Sequence, residues 1–148
     1  HFRGVIDLVE KHQEKSLLRV TDHKTGRAPW PRPDFVGKGE ILQPLLYGLA
    51  AEKLLGLPVE EGRLFYCTQR GDFQQVSIPL TKESRARIRQ VVETIDAAIK
   101  SAFLPAAPRE KACQYCDYKL VCGPYEELRV GRKRKELLVE LEEIRRIP

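Results

Sequence analysis

The sequence predicts an α/β domain, in which a central sheet is flanked by helices. Two segments of alternating apolar residues, 3–10 and 16–24, predict a pair of strands joined by a polar turn. A leucine stripe at helical spacing predicts a helix over 38–55, and a longer apolar stripe predicts a second helix from Thr81 to Phe103. Strands that alternate with helices along a chain favour a sheet with helices packed on it.

The composition is that of one globular domain. The 148 residues suffice for a single core, with 42% hydrophobic and 32% charged residues, an ordinary balance. No apolar run approaches the ~18 residues of a membrane span, and no signal peptide begins the chain. Because the chain has no methionine and starts at His1 directly before a strand, we expect it to be a piece of a longer protein. The net charge of +5 suits a polyanionic partner.

Three charged side chains interrupt the first two predicted strands. Asp7 lies in the first strand, and Asp22 and Lys24 lie in the second, two residues apart and therefore on one face. If the strands pair, Asp7 lies opposite on that face. Carboxylates grouped in this way suit Mg²⁺, which prefers oxygen ligands and can activate water for attack on a phosphodiester. A surface hairpin with an ordinary Asp–Lys pair is the alternative explanation of the same pattern.

The segments that follow are a loop, a helix and a hairpin. Alternating prolines exclude a helix over 25–37, where Trp30 and Phe35 are either stacking platforms for bases or anchors of the loop. In the helix over 38–55, Gln43 and Tyr47 are one turn apart and share a face. They are either part of the site beside Lys24 or an incidental polar pair. The segments predicted as hairpin strands are 62–69 and 73–80.

The cysteines indicate a reducing compartment and a possible metal motif. Their uneven spacing, without an export signal, argues against a disulfide framework and for the cytoplasm. Cys67 is expected to be a small buried residue of a strand. The C-x-x-C-x5-C pattern of Cys113, Cys116 and Cys122 can bring three thiolates to one Zn²⁺ ion or iron–sulfur cluster, but no fourth cysteine lies nearby.

The C-terminal part is predicted to be a smaller attachment to the core. The segment 104–108 breaks the second helix because it is rich in proline, and a last helix is predicted over 131–147. We expect residues 1–104 to form the core domain. Residues 105–148 would then carry the cysteine motif and a C-terminal helix that packs on this core.

Several motifs in one order resemble a known family. The segments Gly-Val-Ile-Asp, ending at Asp7, and Val-Thr-Asp-His-Lys-Thr-Gly, which contains Asp22 and Lys24, resemble the core of the PD-(D/E)XK nuclease superfamily. More narrowly, they resemble the RecB and AddB type of nuclease domain and the related CRISPR-associated exonucleases. Gln43 and Tyr47 resemble that family's Q-x-x-x-Y motif. The three C-terminal cysteines resemble its iron–sulfur ligands.

This resemblance implies a fold and a chemistry. The fold would be restriction-endonuclease-like, with a mixed sheet. Asp7 and Asp22, with the carbonyl of His23, would bind Mg²⁺ or Mn²⁺, and Lys24 would assist the attacking water. Gln43 and Tyr47 would orient Lys24 or the DNA backbone.

The resemblance also implies a substrate, a cofactor and partners. The substrate would be single-stranded DNA or DNA ends, in recombination, repair or CRISPR-type processing. A helicase or another repair subunit would be the protein partner. Cys113, Cys116 and Cys122 would help hold a structural 4Fe-4S cluster, whose first cysteine in AddB-type proteins lies far upstream and would here precede His1.

Two functions of other classes remain open. One is a DNA-binding domain that has the fold without the activity. The other is a metal-stabilised protein-interaction module organised by the cysteines, in which Asp7 and Asp22 are incidental. An Asp22→Ala variant that binds DNA but has lost cleavage activity would favour an enzyme over the DNA-binding domain. The interaction module predicts that the cysteines, and not Asp7 and Asp22, matter for binding of a protein partner.

Overall fold

A computed structural model describes residues 3–28, 34–109, 111–123, 125–132 and 134–148. The chain forms two compact units. One contains the residues up to Glu93 together with Ile144–Pro148, and the other is Thr94–Glu143. The division into a core of residues 1–104 and an attachment of residues 105–148 stays a prediction.

A four-stranded mixed sheet forms the centre of the first unit. Its strands are β1 (Leu8–Lys11), β2 (Leu18–Lys24), β3 (Val59–Tyr66) and β4 (Gln75–Pro79), in the spatial order β1-β2-β3-β4. The β1/β2 and β3/β4 pairs are antiparallel, whereas β2 and β3 are parallel. This mixed sheet with helices packed on it confirms the predicted α/β class. The predicted hairpin is also confirmed. Its first strand, β3, begins at Val59, earlier than predicted, and both strands of the hairpin stop short of their predicted ends at the turn.

The parallel pair requires a crossover connection, which contains the first helix, α1 (Gln43–Leu55). The helix packs on β2 and β3. Gly62 of β3 allows a very close approach, because a Cβ there would lie 2.7 Å from the Cα of Pro44 and 2.5 Å from its carbonyl carbon. The first turn of α1 therefore lies directly on the sheet, and a larger residue at position 62 would displace it.

The predicted helix over 38–55 was wrong at its start and right at its end. Gly37, Lys38 and Gly39 all have positive φ angles, which an α-helix does not allow, so the helix begins five residues later. Gly56 ends it in the left-handed conformation, with φ 68° and a hydrogen bond from its N–H to the carbonyl of Glu52.

The second long helix, α2 (Lys82–Lys100), begins where the sequence predicted. The N–H of Ser84 donates to Oγ1 of Thr81 at 3.1 Å, which confirms Thr81 as the capping residue. The helix ends three residues before the predicted Phe103.

An ion pair joins α1 to α2. Both terminal nitrogens of Arg85 donate to the carboxylate of Glu52, each at 2.6 Å, and Glu52 also accepts from the N–H of Val59 at 2.7 Å. The hydrogen bonds from Arg85 hold the pKa of Glu52 below its usual value, although burial opposes the shift. This pair ties the end of α1 to the start of α2 and to the first residue of β3.

A second polar network lies on the face of the sheet away from α1. Oγ1 of Thr21 donates to Glu10 at 3.0 Å, and Arg63 donates to Thr21 at 3.1 Å and to Glu10 at 2.7 Å. Because successive residues of a strand point to opposite faces, Asp22 next to Thr21 points towards α1. The network joins β1, β2 and β3 and thereby holds the strands that carry the predicted site.

The C-terminal helices are shorter than predicted. They are α3 (Lys119–Cys122), α4 (Glu126–Gly131) and α5 (Val139–Ile144), and a 3₁₀ turn at Lys135–Leu138 precedes α5. The predicted helix over 131–147 was therefore wrong: Arg134 has an extended backbone, with ψ 113°, which a continuous helix does not allow. No helix in the described part of the chain is long and apolar enough to cross a membrane.

Candidate active site

Asp22 and Lys24 point to the same face of β2, as their spacing predicted. Asp22 is only 6% exposed, and its Oδ2 lies 2.6 Å from Nζ of Lys24. Oδ2 is therefore a buried carboxylate oxygen whose close partner is the Lys24 ammonium. A buried carboxylate oxygen in this state retains lone pairs for a further ligand.

Gln43 and Tyr47 extend this pair into a chain of contacts. Nζ of Lys24 donates to Oε1 of Gln43 at 2.5 Å, and Nε2 of Gln43 donates to the hydroxyl of Tyr47 at a long 3.5 Å. Gln43 is the first residue of α1, and Tyr47 lies one turn further along the same face. The ring of Tyr47 also lies against Gly4, where a Cβ would come within 3.1 Å of it.

Asp7 is placed differently from the prediction. It precedes β1 and is not part of that strand, because β1 begins at Leu8. Continuing the β1/β2 register, in which Leu8 pairs with Thr21, would put Asp7 opposite Asp22. The carboxylate of Asp7 accepts instead from the backbone N–H of His23, at 2.8 Å, and lies 3.7 Å from Nδ1 of that residue.

The structure therefore brings four predicted residues into one contact chain and ties the other two to each other. Asp22, Lys24, Gln43 and Tyr47 form the chain, whereas Asp7 contacts His23. The prediction that Asp7 lies within the first strand was wrong, since hydrogen bonding to the neighbouring strand's backbone holds it just outside.

The sequence analysis missed Tyr66 as a neighbour of the site. It is buried and pairs with Lys24 in the β2/β3 register. Burial raises the pKa of its hydroxyl, while the Lys24 ammonium lowers it and the Asp22 carboxylate raises it. The alternation of apolar residues along β3 could have indicated that Tyr66 is buried. Placing Tyr66 next to Lys24 also requires the register of the parallel β2/β3 pair, which the sequence alone does not specify.

The donors at this position fit a hard divalent cation. Asp22 offers a buried carboxylate that is paired with Lys24, and Asp7 uses one carboxylate oxygen for the backbone of β2. Mg²⁺ is usually bound by one or two carboxylates, with water and phosphate oxygens completing the shell. Within the described ranges, no group of three or more His, Cys, Asp or Glu side chains is arranged to hold a metal ion.

Comparison with known families decides the identity of this arrangement. A family model described as the PD-(D/E)XK nuclease superfamily matches residues 1–123, which is most of the chain. The chain belongs to the PD-(D/E)XK nuclease superfamily. No curated protein and no solved structure matches it significantly. Its mixed sheet flanked by helices is consistent with the restriction-endonuclease-like architecture of this superfamily.

In this nuclease-family chain, the cysteine motif lies in the second unit. Cys113 is buried, whereas Cys116 and Cys122 are exposed, and all three thiols are free. Burial is the main cause of a raised pKa of the Cys113 thiol, to which nearby Glu126 and Glu127 and the other two cysteines contribute. The thiols are thus close enough to influence one another, but they do not form a ligand group in the part of the chain that the structure describes.

The remaining candidates of the nuclease chain lie near the ends of strands or in the loop. Cys67 is half-buried just after β3, and so it is not the buried strand residue that was predicted. Its Sγ donates to the carbonyl of Lys24 at 3.5 Å. Phe35 is half-buried, and its N–H bonds to Pro148, which favours an anchoring role. Trp30 lies outside the described residues.

Proposed function

We propose that this chain hydrolyses phosphodiester bonds of DNA with Mg²⁺ or Mn²⁺. The observation that carries the proposal is the position of the Lys24 ammonium, which lies 2.6 Å from the buried Asp22 carboxylate and 2.5 Å from the Gln43 carbonyl oxygen. Membership of the nuclease superfamily supports nuclease activity in general, and this arrangement supports hydrolysis at this position.

Asp7 and Asp22, with the backbone carbonyl of His23, are the proposed ligands of the metal ion. When bound, the metal would polarise the phosphodiester and lower the pKa of a coordinated water. The burial of Asp22 supports this assignment, because its carboxylate keeps lone pairs beside the Lys24 ammonium that can accept a cation. The hydrogen bond from the His23 N–H to Asp7 keeps that carboxylate beside β2.

Lys24 is the proposed group that orients water and stabilises charge on the phosphate. An ammonium has three N–H donors, and Asp22 and Gln43 lie close to two of them, so that one remains for a water or a phosphate oxygen. The neighbouring carboxylate favours the charged form of the ammonium. Lys24 would thus act as a fixed cation that stabilises the developing negative charge.

Gln43 and Tyr47 are the proposed positioning residues. Because the amide nitrogen of Gln43 faces the hydroxyl of Tyr47, its carbonyl oxygen faces Lys24. The hydroxyl of Tyr47 can still donate its own proton to a phosphate oxygen of the substrate. Gln43 therefore determines the direction of the Lys24 ammonium, and Tyr47 determines the orientation of the amide.

A finer version of the proposal concerns substrate, cofactor and setting. We propose single-stranded DNA or DNA ends as substrate, recombination, repair or CRISPR-type processing in the cytoplasm as the setting, and a helicase or repair subunit as partner. The net charge of +5 and the resemblance to RecB- and AddB-type nuclease domains support this version.

For the cysteine motif we propose a structural 4Fe-4S cluster. The spacing of Cys113, Cys116 and Cys122 supports it, and no step of hydrolysis depends on it. Iron, sulfide and zinc are measured in anaerobically purified protein, together with the visible absorption spectrum. Iron with sulfide supports the cluster, whereas zinc alone would favour the metal-stabilised interaction module.

The test of the nuclease proposal is cleavage of labelled single- and double-stranded DNA with and without Mn²⁺ or Mg²⁺. Wild type is compared with Lys24→Ala and Asp22→Ala, and Lys53→Ala, an exposed lysine of α1, is the matched control. We expect metal-dependent cleavage that the first two substitutions abolish and the control retains. DNA binding without cleavage by any of the proteins would favour a non-catalytic DNA-binding domain. Cleavage that survives Lys24→Ala would refute the proposed site.

A further inference from the structure

The turn between β3 and β4 presents an exposed aromatic ring at the edge of the sheet that carries Lys24. Because β2 and β3 are parallel, their carboxyl ends, Lys24 and Tyr66, lie side by side. The turn that follows, 68–74, therefore begins next to the proposed active site. Phe73 in this turn is 58% exposed.

Three contacts attach the turn to the segment that follows Lys24. The N–H of Cys67 donates to the carbonyl of Lys24 at 3.0 Å, and Oγ1 of Thr68 donates to the carbonyl of Thr25 at 3.2 Å. Gly71 packs so closely that a Cβ would lie 2.8 Å from the carbonyl oxygen of Gly26. The turn and the Lys24 segment consequently form one packed structure.

Within the turn, Phe73 is held in a conformation that is unfavourable for a bulky residue. Asp72 and Phe73 both have positive φ angles, 54° and 49°, where glycine or asparagine would be the usual choice. The N–H of Phe73 donates to the carbonyl of Thr68, and that of Gln74 donates to the carbonyl of Gly71, which hold the backbone in this conformation. Burial does not explain a phenylalanine here, because most of the residue is exposed. An exposed ring on a hydrogen-bonded turn is suited to contact a ligand.

Two cations belong to the segments that form this packed structure. Arg70 in the turn and Arg27, which follows Gly26 in the chain, are both exposed, as is the acidic Asp72 that precedes Phe73. An aromatic ring with neighbouring arginines is the combination by which proteins bind single-stranded nucleic acid, with bases stacked on the ring and phosphates near the cations.

We propose that the turn 68–74 contacts the DNA strand, with a base stacked on Phe73 and a phosphate beside Arg70. The proposal rests on the proposed nuclease function and names the residues that would contact an unpaired strand, since a ring can stack only on a base whose face is accessible. Phe73 is a substrate-positioning residue and takes no part in the chemistry.

The test measures binding of two labelled oligonucleotides of equal length, one with bases and one with abasic sites at every internal position. Binding is followed by fluorescence anisotropy in EDTA, which prevents metal-dependent cleavage. Phe73→Gly and Phe73→Asn remove the ring and tolerate the positive φ angle, whereas Phe73→Trp retains an aromatic ring. Leu54→Ala is the control, because Leu54 is an exposed apolar residue near the other end of α1.

We expect Phe73→Gly and Phe73→Asn to weaken binding of the base-containing strand by about 5- to 100-fold and to leave the abasic strand unaffected. Phe73→Trp and Leu54→Ala should bind both strands as wild type does. An equal loss on both strands, or no loss on either, would overturn the stacking contact. Thermal unfolding of each variant checks that it is folded.

The phosphate contact has a separate readout. Arg70→Gln should make the negative slope of log K against log salt shallower by about one, because one fewer counterion is released. An unchanged slope would overturn the contact of Arg70. Suppose that Lys24→Ala abolishes metal-dependent cleavage but the Phe73 variants bind DNA as wild type does. That result would overturn only this inference and leave the nuclease proposal in place. If instead Lys24→Ala cleaves DNA as wild type does while the Phe73 variants bind the base-containing strand more weakly, the nuclease site would be refuted and the strand contact would stand.

Discussion

Gly62→Ala is expected to damage the site without touching any proposed catalytic residue. The new Cβ would lie 2.5 Å from the carbonyl carbon of Pro44, and the carbonyl oxygen is closer still. Ordinary van der Waals contact begins near 3.4 Å, so the first turn of α1 must retreat by at least 0.9 Å, the difference between these two distances. Both atoms that clash belong to backbone, which cannot rotate away.

The retreat moves Gln43, which immediately precedes Pro44. Its Oε1 lies 2.5 Å from Nζ of Lys24, so a shift of this size lengthens the contact to the limit of a hydrogen bond. Lys24 cannot follow without leaving Asp22, from which it is 2.6 Å away. A misplacement of about 1 Å in a catalytic group can cost about 100-fold in rate, and overpacking costs about 1 to 3 kcal/mol of unfolding free energy.

Two measurements check this expectation. Cleavage of single-stranded DNA with Mn²⁺ should fall by about 10- to 100-fold, and urea unfolding should show a loss of about 1 to 3 kcal/mol. Gly131→Ala is the matched control, because a Cβ at Gly131 meets nothing within 4 Å. If Gly62→Ala retained the stability and the cleavage rate of the control, the close approach of α1 to β3 would not position the site, and the reasoning would fail.

Three further changes test the surrounding structure. Gln43→Ala should reduce cleavage by about 10-fold and leave urea unfolding unchanged, because it frees Lys24 without opening the core; an unchanged rate would count against the positioning role. Glu52→Gln should cost about 1 to 2 kcal/mol of unfolding free energy, since it weakens the Arg85 pair in partial contact with water. Arg85→Gln should then cost less in the Glu52→Gln background than in wild type, because the pair is already lost. Because Arg85 lowers the folded-state pKa of Glu52 below its ordinary value of 4.5, the contribution of the pair is complete above that pH and is lost as the pH falls through the lower folded-state pKa; a stability difference between wild type and Glu52→Gln that persisted in strong acid would contradict this. Thr81→Ala should cost about 1 kcal/mol by removing the cap of α2, whereas Thr81→Ser should cost little, and equal effects of the two would exclude the cap as the cause.

The parts of the site that follow from local periodicity were predictable. Asp22 and Lys24 share a face because side chains alternate along a strand, and Gln43 and Tyr47 share one because a helix turns every 3.6 residues. The cap at Thr81 and the stop at Gly56 also follow from local chemistry. These features require no knowledge of which elements pack together.

The parts that depend on approach between distant segments were not predictable. Tyr66 borders Lys24 because β2 and β3 pair in parallel in one particular register. Gly62 is an ordinary strand residue in the sequence, and only the packing of α1 against it shows why it is a glycine. Asp7 was assigned to the first strand because its neighbours are apolar, but a hydrogen bond to the His23 backbone holds it outside. The start of α1 was missed because positive φ angles at residues 37–39 are not encoded by apolar spacing.

The electrostatics of Asp22 argue that folding alone does not explain the residue. Its carboxylate is buried, and among the described residues its Oδ2 is paired with the ammonium of Lys24. Burying a charge under these conditions costs free energy, and an apolar residue of similar size would fill the same space at lower cost. Local choices that oppose stability are expected where a protein binds or reacts with something. The lone pairs that this buried oxygen retains beside the ammonium are suited to a divalent cation, which nucleases of the family to which the chain belongs generally use.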